Sequence, residues 1–141
     1  MEENSLKRIL ERARVIAVVG ANDRPGRPVD GVGRYLLEAG YTVIPVHPNR
    51  RVVWGLPACP SLSVLEGPVD IVDVFRAPEY CLAHARECAG LAVKPALFWM
   101  QAGISSPEAA ALLAEHNIAV VEDACLMVEH ERLLGGRNRT P

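Results

Sequence analysis

No apolar run in this chain approaches the roughly 20 residues that span a bilayer. The longest, Val15–Val19 and Ala96–Met100, are strand-sized. Excess positive charge is also missing: 15 Lys or Arg face 17 Asp or Glu, a net charge of −2, which gives no global footprint for nucleic acid. The opening Met1-Glu2-Glu3-Asn4 is acidic where a secretory leader would be positive, so no leader is expected. Cysteine is sparse and scattered. Cys59, Cys81, Cys88 and Cys125 form no C-x-x-C pair and no metal-ligand spacing with His, which argues against a zinc site or a disulfide framework. They read as buried or half-buried thiols in a reducing, cytoplasmic compartment. A metal site, a membrane and a nucleic-acid partner are all unexpected.

What is present is one domain's worth of chain, 141 residues with half of them apolar. Short β-branched runs alternate with helical spacing. Strands are expected at Val15–Val19, Tyr41–Val46, Asp70–Phe75, Pro95–Met100 and Ile118–Val121, with a short extended piece at Val52–Trp54. Helices are expected at Leu6–Arg12, capped by Ser5, and at Val29–Ala39, Pro78–Cys88, Ser106–His116 and Leu126–Leu134, with one or two turns at Ser61–Leu65. Cys81 and Cys88 fall on one face of their helix. Pro45 is awkward inside the second strand, because proline removes a ladder donor, and is expected near that strand's end. The pattern predicts an α/β fold: a single Rossmann-like, doubly wound domain over residues 1–134, with a five-stranded, mainly parallel sheet and helices on both faces. The expected strand order is 3-2-1-4-5, and Gly135–Pro141 reads as a frayed tail. Ligands on such sheets lie beyond the carboxyl ends of the strands at the switch point.

The first strand runs into Gly20-Ala21-Asn22-Asp23-Arg24-Pro25-Gly26-Arg27-Pro28, a tight turn leading to a helix start. Backbone N–H groups there, with Arg24 and Arg27, suit a phosphate. Gly20→Val is expected to block binding while leaving the fold largely intact. A G-x-G-x-x-G fingerprint is absent, and the second strand ends in Val46-His47-Pro48-Asn49-Arg50-Arg51 instead of the acid that holds a ribose in NAD sites. His and Arg there suit a further phosphate, the 2′-phosphate of NADP or the 3′-phosphate of coenzyme A. Residues 1–51 carry nine Lys or Arg against six Asp or Glu, and residues 52–141 carry six against eleven, so the positive share includes these loops. Thirteen of the 15 basic residues are Arg, which matches phosphate geometry. The third strand ends in Phe75-Arg76 and the fourth in Met100-Gln101-Ala102-Gly103. Phe75 and Met100 suit either a nucleotide wall or core packing. Arg76, directly after a buried strand, needs a partner such as a phosphate or Glu79.

These residues resemble the small stand-alone coenzyme A-binding proteins, which are related to the coenzyme A-binding domain of the succinyl-coenzyme A synthetase alpha subunit. The resemblance spans about Leu6 to Leu134. It is carried by Ile16–Ala21, Arg27-Pro28, Arg34-Tyr35-Leu36, Gly40–Pro48, Val69–Arg76, Trp99–Ile104 and Cys125–His130. It implies that Gly20, Ala21 and Asn22, assisted by Arg27, meet a diphosphate. Val46, His47 and Pro48 would lie along the adenosine, and Arg50 would approach the 3′-phosphate. Phe75 and Arg76 would flank the nucleotide, and Met100, Gln101 and Gly103 would line the pantetheine path. Three positions depart from the pattern: Asn22 for a common serine, His47 for a common asparagine, and Ala124 for an arginine before Cys125. The last leaves Cys125 without a neighbouring cation in sequence. No nucleophile–base motif or H-E-x-x-H stands out, and none of His47, His84, His116 and His130 is expected to be catalytic. The expectation is a non-catalytic binding, carrier or regulatory module for coenzyme A or an acyl-coenzyme A. The alternatives are an NADP-binding oxidoreductase-like protein, or a subunit that completes an acyl-coenzyme A synthetase in trans.

Overall fold

The computed structural model describes residues 1–135; of the expected tail, all but Gly135 lies outside the described residues. Five parallel strands form one sheet: β1 (Val15–Val19), β2 (Thr42–Val46), β5 (Ile71–Val74), β6 (Leu97–Met100) and β7 (Ala119–Val121). A two-stranded antiparallel hairpin, β3 (Val52–Val53) and β4 (Leu56–Pro57), stands apart from it. Helices α1 (Glu3–Arg12), α2 (Pro28–Glu38) and α5 (Leu126–Leu134) cover one face, where Ile16, Val18, Ile71, Leu97 and Trp99 are buried. Helices α3 (Cys81–Ala89) and α4 (Pro107–Glu115) cover the other, over Ala17, Val19, Val72, Val74, Phe98 and Met100. Alternate residues of each strand thus serve opposite layers, as the two-residue period requires.

The strand order is β2-β1-β5-β6-β7. This corrects the expected 3-2-1-4-5: the third long strand pairs with β1 and not outside β2. Pro45 gives the reason. The nitrogen and carbonyl of one strand residue face the same edge. The Pro45 carbonyl accepts from Cys59 N at 2.8 Å on the outer edge of β2, so its missing N–H also points outward, where no long strand needs it. Proline fits an edge strand and not a central one. The switch point consequently falls between β1 and β5.

Local sequence explains the element ends. Pro28 occupies the first position of α2. Ser106 caps α4 by accepting from Ala109 N at 3.2 Å. Gly135, in the left-handed region at φ 65°, closes α5. Ser5 does not cap α1. The helix starts earlier, with Glu2 as its cap residue and Glu3 in the positive first turn. Asp70 lies just before β5, and its Oδ2 accepts from Arg14 N and Val15 N at 2.8 and 2.9 Å, pinning the starts of β1 and β5 together.

Candidate functional site at the carboxyl edge

The ends of β1 and β5 close on each other at Gly20. Its φ is +83°, and a Cβ there would sit 2.5 Å from the Phe75 carbonyl oxygen and 3.3 Å from Arg76 Cδ. Glycine is required both by the conformation and by the approach of the neighbouring strand. Valine would therefore strain the fold as well as the site, which corrects the expectation that Gly20→Val spares the fold. The Gly20 and Ala21 N–H groups both donate to Val46 O, at 3.0 and 3.3 Å. They are turned into the sheet, so neither is spare for an anion. Asn22 Oδ1 accepts from Arg24 N at 2.9 Å and shapes the turn. Arg27, the cap residue of α2, is exposed.

The loop after β2 is held by side chains. His47 Nδ1 accepts from Asn49 N and Arg50 N, both at 3.0 Å, the part an asparagine oxygen would play in an Asx-type turn. Desolvation, then the charges of Arg50 and Arg76, hold the His47 pKa below the usual histidine range, consistent with an unprotonated Nδ1. Arg50 donates to Asp23 Oδ1 at 2.8 Å and to Val52 O at 3.0 Å, joining this loop to the one after β1. Asp23 Oδ2 also accepts from Trp54 N at 3.1 Å. The Trp54 indole lies against Gly33 of α2, where a Cβ would collide with its ring, and its Nε1 donates to Asp30 Oδ1 at 2.9 Å. The hairpin is thereby locked over α2. Sequence reasoning missed Asp23 and Trp54; the signal was Gly33, a glycine inside a helix with a packing reason. Pro48 is exposed on this rim, and Val46 is buried beneath it.

A cleft of about 570 Å³ opens at the switch point. Its walls include Pro28 and Val32 from α2, Phe75 and Arg76 after β5, and Gln101, Gly103 and Ile104 after β6. Cys125 and Met127, at the start of α5, complete it. Arg76 does not pair with Glu79 in an ion pair; its guanidinium lies 4.2 Å from the centre of the Tyr80 ring. Gly103, at φ +84°, donates its N–H to Asp123 Oδ1 at 2.6 Å. Gln101 is 4% exposed, and its Oε1 accepts from Leu126 N at 3.0 Å. Met100 does not line the cleft. It is fully buried on the opposite face with Phe98 and Leu113, because Phe75 and Gln101 take the alternation that faces α2 and α5. A second depression, of about 370 Å³, lies at the amino-terminal edge against Arg8, Arg12 and Asp70, away from the switch point where ligands of such sheets gather.

Asp73 is the other polar anomaly. It sits at the sheet centre between Val18 and Trp99, fully buried, and neither carboxylate oxygen has a partner among the described residues. Burial pushes its pKa well above the usual carboxylate range. His130, which sequence placed in a charged final helix, is buried between Tyr35 and Tyr41 and shares a hydrogen bond of 2.7 Å with Tyr35 Oη. Among the described residues no cluster of His, Cys, Asp and Glu could hold a metal, and no helix is long and apolar enough to cross a membrane.

Residues 14–131 match a family described as a CoA binding domain. The chain belongs to this CoA-binding domain family. An uncharacterized protein of Bacillus subtilis, YneT, is 40% identical over 125 residues, 89% of this chain and 91% of that protein. A Thermus thermophilus protein of solved structure, cell-free ID.343, is 46% identical, with a TM-score of 0.88 over 95% of this chain and all of that one. A hypothetical protein from Pyrococcus horikoshii is 33% identical, with a TM-score of 0.90 over 96% of this chain and 94% of that one.

Proposed function

We propose that this chain binds coenzyme A or an acyl-coenzyme A across the carboxyl edge of its sheet, as a non-catalytic carrier, sensor or regulatory module of the cytoplasm. The observation that carries the reading is the open cleft at the switch point, with Arg76 on its wall, beside the close approach of Gly20 to Phe75. The residues fit the parts of the cofactor. Asn22 and Arg27 face the diphosphate, and Gly20 and Ala21 allow its approach to the backbone without donating. Val46, His47 and Pro48 form the adenosine side, with Arg50 toward the 3′-phosphate. Phe75 and Arg76 flank the nucleotide. Gln101 and Gly103, with the apolar walls from Val32, Ile104 and Met127, take the pantetheine arm. Met100 supports this wall only from behind.

Coenzyme A that binds the folded chain alone raises its melting temperature; a concentration a hundredfold above Kd stabilises by about 2.7 kcal/mol. Thermal unfolding across a coenzyme A titration, with NADP in parallel, tests this. An unchanged melting temperature with coenzyme A, or a larger rise with NADP, overturns the reading. Acetyl-coenzyme A incubated with the protein should release free thiol at the rate of buffer alone; faster release would contradict a purely binding role.

A further inference from the structure

The β3–β4 hairpin turns through two residues, Trp54 and Gly55, between the paired Val53 and Leu56. Both have positive φ, 53° and 72°, as a type I′ turn requires. Such turns favour Asn-Gly or Asp-Gly, because a short polar side chain tolerates the left-handed region and a bulky one does not. Tryptophan in the first position is strained, so its surroundings must hold it there. They do so from α2. Gly33 leaves the space into which the indole packs, and Asp30, 7% exposed, accepts from Trp54 Nε1 at 2.9 Å. Arg34 Nε donates to the same Asp30 oxygen at 2.9 Å and fixes it. A glycine in mid-helix and a left-handed tryptophan each weaken their own element. Together they anchor the tip of the hairpin.

The anchored hairpin in turn fixes a cation. The chain leaving it is tied to the edge of β2, where Cys59 N donates to Pro45 O at 2.8 Å. Val52 O and Asp23 Oδ1 both accept from Arg50 Nη2, and Trp54 N donates to the other Asp23 oxygen at 3.1 Å. One acceptor that orients Arg50 is therefore on the hairpin, and the other is held by it. Both bonds use Nη2, so Nε and Nη1 are uncommitted among the described residues. Arg76, on the cleft wall, acts together with Arg50 on the His47 ring, so two guanidinium charges converge beside the loop after β2. Converging guanidiniums suit a phosphate.

We propose that Trp54 is a positioning residue for phosphate discrimination: seated on Gly33 and Asp30 of α2, it holds the hairpin so that Arg50 meets the 3′-phosphate of the cofactor. The proposal rests on the coenzyme A reading, which brings that phosphate to this rim. Trp54 touches no ligand and acts through Val52 and Asp23. A guanidinium already held in place loses less freedom when the phosphate arrives, and that is the source of the gain. Loss of the indole therefore weakens binding of the ligand that carries the 3′-phosphate and spares the one that lacks it.

The test is calorimetry of the full-length protein with coenzyme A and with dephospho-coenzyme A, read as the ratio of the two affinities. Trp54→Asn keeps a residue that the turn favours and removes the anchor. Gly33→Ala drives the indole off α2 without altering the hairpin, and carries the test should Trp54→Asn not fold. Each should lower the ratio at least about fivefold, with dephospho-coenzyme A affinity held within about twofold. Trp54→Phe, which fills the space at Gly33 without the Nε1 donor, should recover part of the ratio. A ratio unchanged in the variants, or both affinities lost in equal proportion, overturns the proposal, the latter because it marks a merely structural role. Equal affinities in the parent also overturn it and leave the coenzyme A reading standing. A parent that binds neither ligand overturns both.

Discussion

The Arg50 guanidinium donates to Asp23 Oδ1 at 2.8 Å, so the loop after β2 is tied to the loop after β1 by one ion pair across the mouth of the site. That hydrogen bond, with a second from Trp54 N, holds the Asp23 pKa below the usual carboxylate range. Any phosphate that approaches Arg50 competes with Asp23. Asp23→Asn removes the competing charge and keeps an acceptor for Trp54. By calorimetry, the preference for coenzyme A over dephospho-coenzyme A should widen in Asp23→Asn by up to about tenfold. It should collapse toward parity in Arg50→Ala. Equal affinities in the unsubstituted protein would remove Arg50 from the 3′-phosphate.

Asp73 makes the stability of the fold depend on pH in an unusual direction. Its buried carboxyl stays protonated well above the usual range, whereas the unfolded chain gives up that proton near about 3.9. Stability from this group is full below that unfolded-state value and falls as pH rises toward the folded-state value. The slope approaches about 1.4 kcal/mol per pH unit, one proton's worth. Asp73→Asn cannot titrate. Urea unfolding across acid to neutral pH should show the variant gaining on the parent as pH rises, with a correspondingly flatter profile. Parallel profiles would show that Asp73 has found a partner.

His47 acts with the opposite sign. Its Nδ1 must be unprotonated to accept from Asn49 N and Arg50 N. The unfolded chain protonates near about 6.5, above the folded-state value, so stability is full above that pH and is lost as pH falls through the folded-state pKa. The ring is part exposed, so solvent moderates the loss. His47→Asn supplies an oxygen that does not titrate. Nuclear magnetic resonance of the Asn49 and Arg50 amides should show an acid-side shift in the parent and none in the variant.

The elements were legible where a continuous apolar run met a strong punctuator. β1 and α5 match the expected bounds, Val15–Val19 before Gly20 and Leu126–Leu134 before Gly135. The single parallel α/β domain followed from their alternation. Strand order was not read correctly, although Pro45 carried the information: a proline with an outward nitrogen marks a sheet edge. At the site, sequence placed Gly20, Phe75, Arg76, Gln101 and Gly103 together because each follows a strand. It misjudged Met100, since a residue at a strand's end faces one layer or the other and one position decides which. Arg50, which sequence assigned to a 3′-phosphate, also has a partner 27 residues away in Asp23. Cys125 and Met127 reach the cleft because α5 packs back onto the sheet and α2, a long-range arrangement that no local pattern encodes.

The proline at the sheet's flank has a consequence beyond topology. A second molecule seeking to extend the sheet past β2 would meet a position that cannot donate, and a carbonyl already claimed by Cys59. The opposite flank, β7, is only three residues long. With both margins blunted, the architecture gives little template for intermolecular strand addition, so resistance to fibril-like growth is built into the same feature that set the order of the strands.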